Sequence, residues 1–172
     1  GSGTTDSSGN LLLEIENTIP DGPYPENVTI EATINDESGQ YISGRTNVLI
    51  HPSDVYVGVR TDRYFGKENI PFTAEVITVS TDSEPVSGQT VQLTLIEKRW
   101  EREEIEGQFG RYNWTQTEIE VETVSVTSDE LGTASYQFTA PNAGIFMIKA
   151  TTRDQRERLH QSSIRMWVTG ST

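Results

Sequence analysis

Apolar and polar side chains change places at every second residue in short runs along almost the whole chain, a period that suits half-buried β-strands and no helix. Val28, Ile30, Ala32 and Ile34 share one side against Thr29, Glu31 and Thr33, and Val55, Val57 and Val59 share one side against Tyr56, Gly58 and Arg60. Read this way, strands are expected at Leu11–Glu16, Val28–Ile34 and Arg45–Ile50. Seven more follow at Val55–Arg60, Ile70–Val79, Thr90–Trp100, Arg111–Val126, Thr133–Thr139, Ile145–Thr152 and Ser162–Val168. The separators carry turn chemistry: Asn35-Asp36-Glu37-Ser38-Gly39, Asp82 to Gly88, Glu106-Gly107-Gln108-Phe109-Gly110, Asp129-Glu130-Leu131-Gly132 and Pro141-Asn142-Ala143-Gly144. The pattern predicts an all-β fold, an immunoglobulin- or fibronectin-like antiparallel β-sandwich preceded by a partial β module. A parallel α/β fold is excluded.

The boundary between the two modules falls at His51-Pro52-Ser53-Asp54. Pro52 has no N–H to give a ladder and biases His51 towards an extended backbone, so one strand closes before it and another opens after it. The expected division is a tag or linker over 1–9, the C-terminal part of a β domain over 10–52, and a complete sandwich over 53–170. An internal echo supports it. Leu11 to Ile50, with Pro20, Gly22, Asp36 and Ser43, repeats the order of Ser135 to Val168, with Pro141, Gly144, Asp154 and Ser162. Half a module leaves an apolar face bare unless it docks on the complete domain or on a neighbouring chain, so the sequence is expected to be cut from a longer protein, and self-association through that module is an expected contact.

A formal net charge of -13 argues against nucleic acid, because phosphate binding needs a clustered basic face. No apolar run reaches the roughly 20 residues that a membrane helix needs. Without cysteine there are no disulfides or thiolate sites, and stability must come from packing.

Motifs for chemistry are few. His51 and His160 are the only histidines, too far apart in sequence for a ligand pattern or a Ser/His/Asp order, and read as hinge or surface residues. Asp36-Glu37, Asp82-Ser83-Glu84 and Asp129-Glu130 offer oxygens for a hard cation, but their spacing matches no calcium loop and they read as acidic turns. Asn27-Val28-Thr29 and Asn113-Trp114-Thr115 are glycosylation acceptors only in a glycosylating host. No nucleophile with a base is visible, so an enzyme is not expected, and no cofactor or metal is expected either. The hairpin from Glu97 to Trp114 mixes dense charge with Trp100, Phe109, Tyr112 and Trp114. These aromatics either brace the hairpin or meet a partner. At the joint, burial of Val55, Val57, Tyr64 and Phe65 is expected to keep the inter-module angle stiff.

The run Thr46 to Phe65, with His51-Pro52, Tyr56-Val57-Gly58 and Asp62-Arg63-Tyr64-Phe65, resembles the joint between successive macroglobulin domains in bacterial alpha-2-macroglobulin-like proteins. Glu84-Pro85-Val86-Ser87-Gly88-Gln89-Thr90-Val91, Gly110 to Trp114, Asp129 to Ala134 and Ala140 to Gly144 with Ala150 to Asp154 resemble that family's later turns and strands. The resemblance implies non-catalytic shell domains of a large secreted or periplasmic protease trap. It implies His51, Pro52, Tyr56, Arg63, Tyr64 and Phe65 as joint residues, neighbouring macroglobulin domains as partners, and target proteases only for the full-length protein. The family's thioester needs Cys-Gly-Glu-Gln, which a chain without cysteine lacks, and no long bait-like segment is present. The alternative reading is a generic immunoglobulin-like spacer or adhesion module of a bacterial surface protein.

Overall fold

The computed structural model describes residues 1–15, 22–104 and 112–170 and contains, among these, ten strands and no helix. The expected turn around Phe109 lies outside the described residues. A two-stranded sheet comes first, β1 (Glu26–Asn35) with β2 (Tyr41–Ile50). Then follow β3 (Val55–Thr61), β4 (Phe65–Lys67), β5 (Pro71–Ser80), β6 (Thr90–Glu104), β7 (Tyr112–Thr127), β8 (Thr133–Thr139), β9 (Gly144–Arg153) and β10 (Leu159–Thr169). These eight build a sandwich of a five-stranded sheet, β4-β10-β9-β6-β7, and a three-stranded sheet, β3-β5-β8. Every ladder is antiparallel except the short one of β4 on β10, a strand the alternation is too brief to announce.

The alternation lands as a two-layer core demands. Val57, Phe72, Ala74, Val76 and Phe138 point inward from one sheet, and Val91, Leu93, Leu95, Phe146, Ile148 and Met166 from the other, all at most 3 % exposed. Fully burying one such side chain contributes about 2 kcal/mol, and the packing of the two faces is the main support of a chain without cross-links.

One turn recurs five times. It starts at Asp6, Asp36, Ser80, Asp129 and Asp154, and in each the first residue's N–H donates to the fifth carbonyl while the fourth N–H donates back to the first. The first side chain accepts from the N–H groups of the third and fifth residues. The fourth residue must then be left-handed: Gly9, Gly39 and Gly132 fill that seat easily, whereas Ser83 and Glu157 sit there at φ 67° and 61°. Residues 1–9, expected as linker, thus include the same turn as the body of the fold.

One expectation fails at the N-terminus. Leu11–Ile15 form no strand, because no described neighbour offers them a ladder, and Leu12 is 89 % exposed. The β1–β2 hairpin forms in the expected place, yet its apolar face lies open.

That hairpin matches β9–β10 position for position. Each first strand has ten residues and ends at the shared turn, Asp36 in one and Asp154 in the other. The cross-strand pairs Val28–Val48, Ile30–Thr46, Ala32–Gly44 and Ile34–Ile42 then stand where Phe146–Met166, Ile148–Ile164, Ala150–Ser162 and Thr152–His160 stand. Phe146, Ile148 and Ala150 are fully buried under the opposite sheet and beside β6, while Ile34, Ile42 and Val48 are exposed.

Candidate functional site

Two places carry the side chains that the sequence singles out: the hinge and the outer face of the five-stranded sheet. The hinge is short. β2 ends at Ile50 and β3 begins at Val55, with Pro52 and Ser53 buried between them. Ser53 Oγ accepts the Val55 N–H at 3.2 Å, which curls the link back on itself. The Asp54 N–H donates to Asp154 Oδ2 at 2.9 Å, so the link is tied to the β9–β10 turn a hundred residues away. Asp154 also accepts from the N–H groups of Arg156 and Arg158 and from Arg158 Nε at 2.8 Å, and Arg158 reaches on to Asp54 at 2.5 Å. Burial alone would raise the Asp154 pKa, but this set of donors outweighs it and holds the carboxylate at about 2. Asp154, one of the turn residues, is the clamp that sequence reasoning did not assign; its signal was the turn aspartate itself, whose second oxygen is free to reach a neighbour.

Tyr56 stands between the two histidines. Its hydroxyl is 2.6 Å from His51 Nδ1, and its ring lies 4.3 Å from that of His160. His160 is buried, not at the surface as expected, and its Nδ1 accepts the Val57 N–H at 3.0 Å. In the neutral ring the proton therefore sits on Nε2. Burial lowers the His160 pKa below its ordinary 6.5. Because the folded state binds the proton less tightly than the unfolded state, stability is full above pH ~6.5 and falls as pH drops below that value. Urea unfolding between about pH 7.5 and 5.5 is expected to show this decline, and His160→Gln is expected to remove most of it.

The structure separates the other expected joint residues from the hinge. Arg63, Tyr64 and Phe65 follow the far end of β3, a seven-residue strand of roughly 23 Å. Arg63 pairs with its neighbour Asp62, at 2.7 Å from Nη2. Tyr64 and Phe65 are about 70 % exposed, where burial was expected: β4 puts Gly66 in the core-facing seat and so turns Phe65 outward at the edge of the sheet, and Tyr64 lies in the link just before the strand. The methyl of Met166 closes on that seat, 2.9 Å from where a Cβ would stand. Val55 and Val57 are buried as expected. Phe65→Ala or Tyr64→Ala is accordingly expected to change the unfolding free energy by less than about 1 kcal/mol, in contrast with about 3 kcal/mol for a buried aromatic. A fall of the larger size in thermal unfolding would place these rings in a packed joint.

The ring of Phe65 stacks on Trp167, with centroids 5.9 Å apart. From there one row crosses the whole sheet on its outer side: Phe65 beside Trp167, Trp167 beside Ile145, Ile145 beside Lys98, and Lys98 beside Glu118, to which it is salt-bridged. β9 stops at this row. Beyond it β6 and β7 run on as a two-stranded arm, where Trp100 pairs with Gln116, Arg102 with Trp114 and Glu104 with Tyr112. Trp100, Tyr112 and Trp114 thus share the arm's face with Lys98, and the Arg102 guanidinium lies 4.0 Å over the Tyr112 ring. Phe109 lies outside the described residues. The aromatics of the Asp62–Phe65 run and those of the long hairpin, which the sequence sets about 40 residues apart, belong to one surface.

Little else offers chemistry. Among the described residues no group of three or more His, Asp or Glu is placed to hold a metal ion. A depression of about 700 Å³ on the three-stranded sheet, lined by Gly58, Arg60, Glu75, Ile77, Asp129 and Ser135, holds an exposed Arg60–Glu75 ion pair and a carboxylate already committed to its turn.

No family model matches the chain. In sequence it is similar to an alpha-2-macroglobulin homolog of Nostoc sp., 22% identical over 161 residues, covering 91% of this chain and 8% of that protein. In fold it is similar to Salmonella alpha-2-macroglobulin reacted with methylamine, with a TM-score of 0.60 at 16% identity over 86% of this chain and 10% of that one. The native conformation of E. coli alpha-2-macroglobulin gives a TM-score of 0.59 at 14% identity over 84% of this chain and 10% of that one. The likeness to bacterial alpha-2-macroglobulins expected from the hinge residues is thus present over most of the chain, which spans about a tenth of the length of these relatives.

Proposed function

We propose that the chain is non-catalytic building material of a large extracytoplasmic protease inhibitor of the alpha-2-macroglobulin kind. It comprises the closing part of one macroglobulin-like module, residues 10–52, and a complete module, residues 53–170. The observation that carries this reading is the match of β1–β2 to β9–β10: the same ten-residue strand, the same aspartate turn and the same inward positions occur twice, once under a second sheet and once bare. A repeat of this kind is how a string of sandwiches is written in one polypeptide. What the piece supplies is placement. Pro52, Ser53 and the Asp154 clamp leave the hinge few ways to swing, so two modules joined here keep their mutual angle while other parts of the longer protein meet the protease. Neighbouring modules are its partners, and proteases are partners of the longer protein alone.

The test uses the longer protein that contains this piece. Incubation with a protease is expected to change its migration on a native gel and to shield the protease from large substrates but not from small ones. Asp154→Asn within this piece is expected to slow that change. If the longer protein leaves protease activity on large substrates untouched, the reading fails.

A further inference from the structure

The outer face of the five-stranded sheet carries a charge that the rest of the chain does not. The chain's only three lysines, Lys67, Lys98 and Lys149, all stand on it, together with Arg165. Lys67 follows Phe65 two residues on along β4, Arg165 stands in the outward row next to Trp167 and Ile145, opposite Met147, and Lys149 stands one outward row further, opposite Ser163. Lys98, Lys149 and Arg165 are close enough to Glu118 to lower its pKa, with the Lys98 hydrogen bond contributing most. By register Arg153 and, on the arm, Arg102 stand on the same side, so six basic residues, of which Lys98 is nearly covered and spent on Glu118, face Glu118, Glu120 and, at the arm's end, Glu104, and the face is net positive. The remainder of the chain holds the other 23 carboxylates against seven basic residues. Lys67 thus stands next along its strand to the exposed Phe65, and Lys98 next along its strand to the exposed Trp100.

An apolar stripe bordered by cations is the composition of a protein-docking surface, where rings contribute contact area and charges select the partner. The complement lies on the chain itself. The turns at 80–84 and 129–133 sit side by side, joined by the Thr78 N–H to the Gly132 carbonyl and the Val86 N–H to the Thr78 carbonyl. Between them they carry the exposed carboxylates of Asp82, Glu84, Asp129 and Glu130 and the side chain of Leu131, which is 70 % exposed, and they contain no basic residue.

We infer that the outer face of the five-stranded sheet is a docking surface for a second copy of this chain, which it receives by the acidic end formed by turns 80–84 and 129–133. The contact is head to side, two different surfaces meeting, so association is open-ended unless its geometry closes a ring. It is independent of the hinge and of the protease-trap reading, since it needs only the isolated chain.

Sedimentation velocity of the chain tests it. Association is expected at concentrations up to about 500 μM in low salt and is expected to weaken about tenfold or more between ~50 and ~500 mM salt. Two variants break opposite halves of the contact: Lys67→Glu with Arg165→Glu on the face, and Asp82→Lys with Glu130→Lys at the acidic end. Each is expected to be monomeric with an unchanged thermal midpoint. Mixed, they are expected to form a one-to-one complex and nothing larger, because one brings an intact face and the other an intact acidic end. A wild-type chain that stays monomeric in low salt overturns the inference. So does association that survives both double variants, or that is lost only on Val28→Thr with Ile42→Thr, which would move the contact to the bare β1–β2 face.

Discussion

Asp154→Ala is expected to lower the unfolding free energy by about 3–5 kcal/mol, the size typical of removing one partner from a buried charge network. The carboxylate is almost fully covered, at 2 % side-chain exposure, and its loss leaves the N–H groups of Asp54, Arg156 and Arg158 short of their acceptor. The Arg158 guanidinium, itself only 19 % exposed, keeps nothing but the exposed end of Asp54. Asp154→Asn retains an acceptor oxygen without the charge and is expected to cost about half as much. Chemical denaturation measures both, and a loss under ~1 kcal/mol for the alanine variant would show that the hinge does not depend on this clamp.

The pH dependence of the same group has a definite sign. Held at about 2 in the fold against an ordinary carboxylate value near 3.8, Asp154 binds its proton less tightly than it does in the unfolded chain. Its contribution is present above pH ~4 and is lost as pH falls towards ~2. Asp36, Asp62 and Asp129 are lowered as well, each first by a hydrogen bond it accepts, from the Ser38 hydroxyl, the Arg63 guanidinium and the Thr133 N–H respectively. Asp154→Asn should therefore make the acid limb shallower without abolishing it.

Gly132→Ala is expected to cost about 2–4 kcal/mol, far more than a methyl group suggests. At φ 71° an L-residue is already strained, and the added Cβ would stand 2.5 Å from the Thr78 carbonyl oxygen and 3.2 Å from the Val86 nitrogen. Neither neighbour can withdraw, because the Thr78 N–H donates to the Gly132 carbonyl and the Val86 N–H donates to the Thr78 carbonyl. Gly39 occupies the same seat of the same turn with open space around it, so Gly39→Ala should cost only the conformational part, about 1 kcal/mol. Glu157→Gly relieves the same strain in the fifth copy and should raise stability by about 0.5 kcal/mol. Equal losses at Gly132 and Gly39 would show that packing against the Thr78 strand is irrelevant.

How far a residue could be read from the sequence depended on whether its role was local. The alternation at Val55, Val57 and Val59 gave the inward side of β3 because pleating is a property of neighbouring residues. The aspartate turns were legible for the same reason, since Asp129 satisfies N–H groups only two and four residues away. Asp154 looked like one more turn residue, and nothing near it in sequence announces the Asp54 N–H that it also holds. Tyr64 and Phe65 carry an apolar signal that reads as burial, yet Phe65 opens, and Tyr64 just precedes, an edge strand three residues long that pairs in parallel with the end of β10. That pairing spans a hundred residues.

The order of residues by itself therefore determined which segments are strands, which of their sides is apolar and where the chain turns, because these follow from hydrogen bonds and periodicities a few residues long. Only the tertiary structure decided which apolar sides are covered. Ile34 and Ile42 are as apolar as residues in the core but stand in the open, and Phe146 and Met166, in equivalent strands, are sealed. Burial needs a second surface brought from elsewhere in the chain, and the Phe65–Trp167–Ile145–Lys98 row exists only where four separate strands lie side by side.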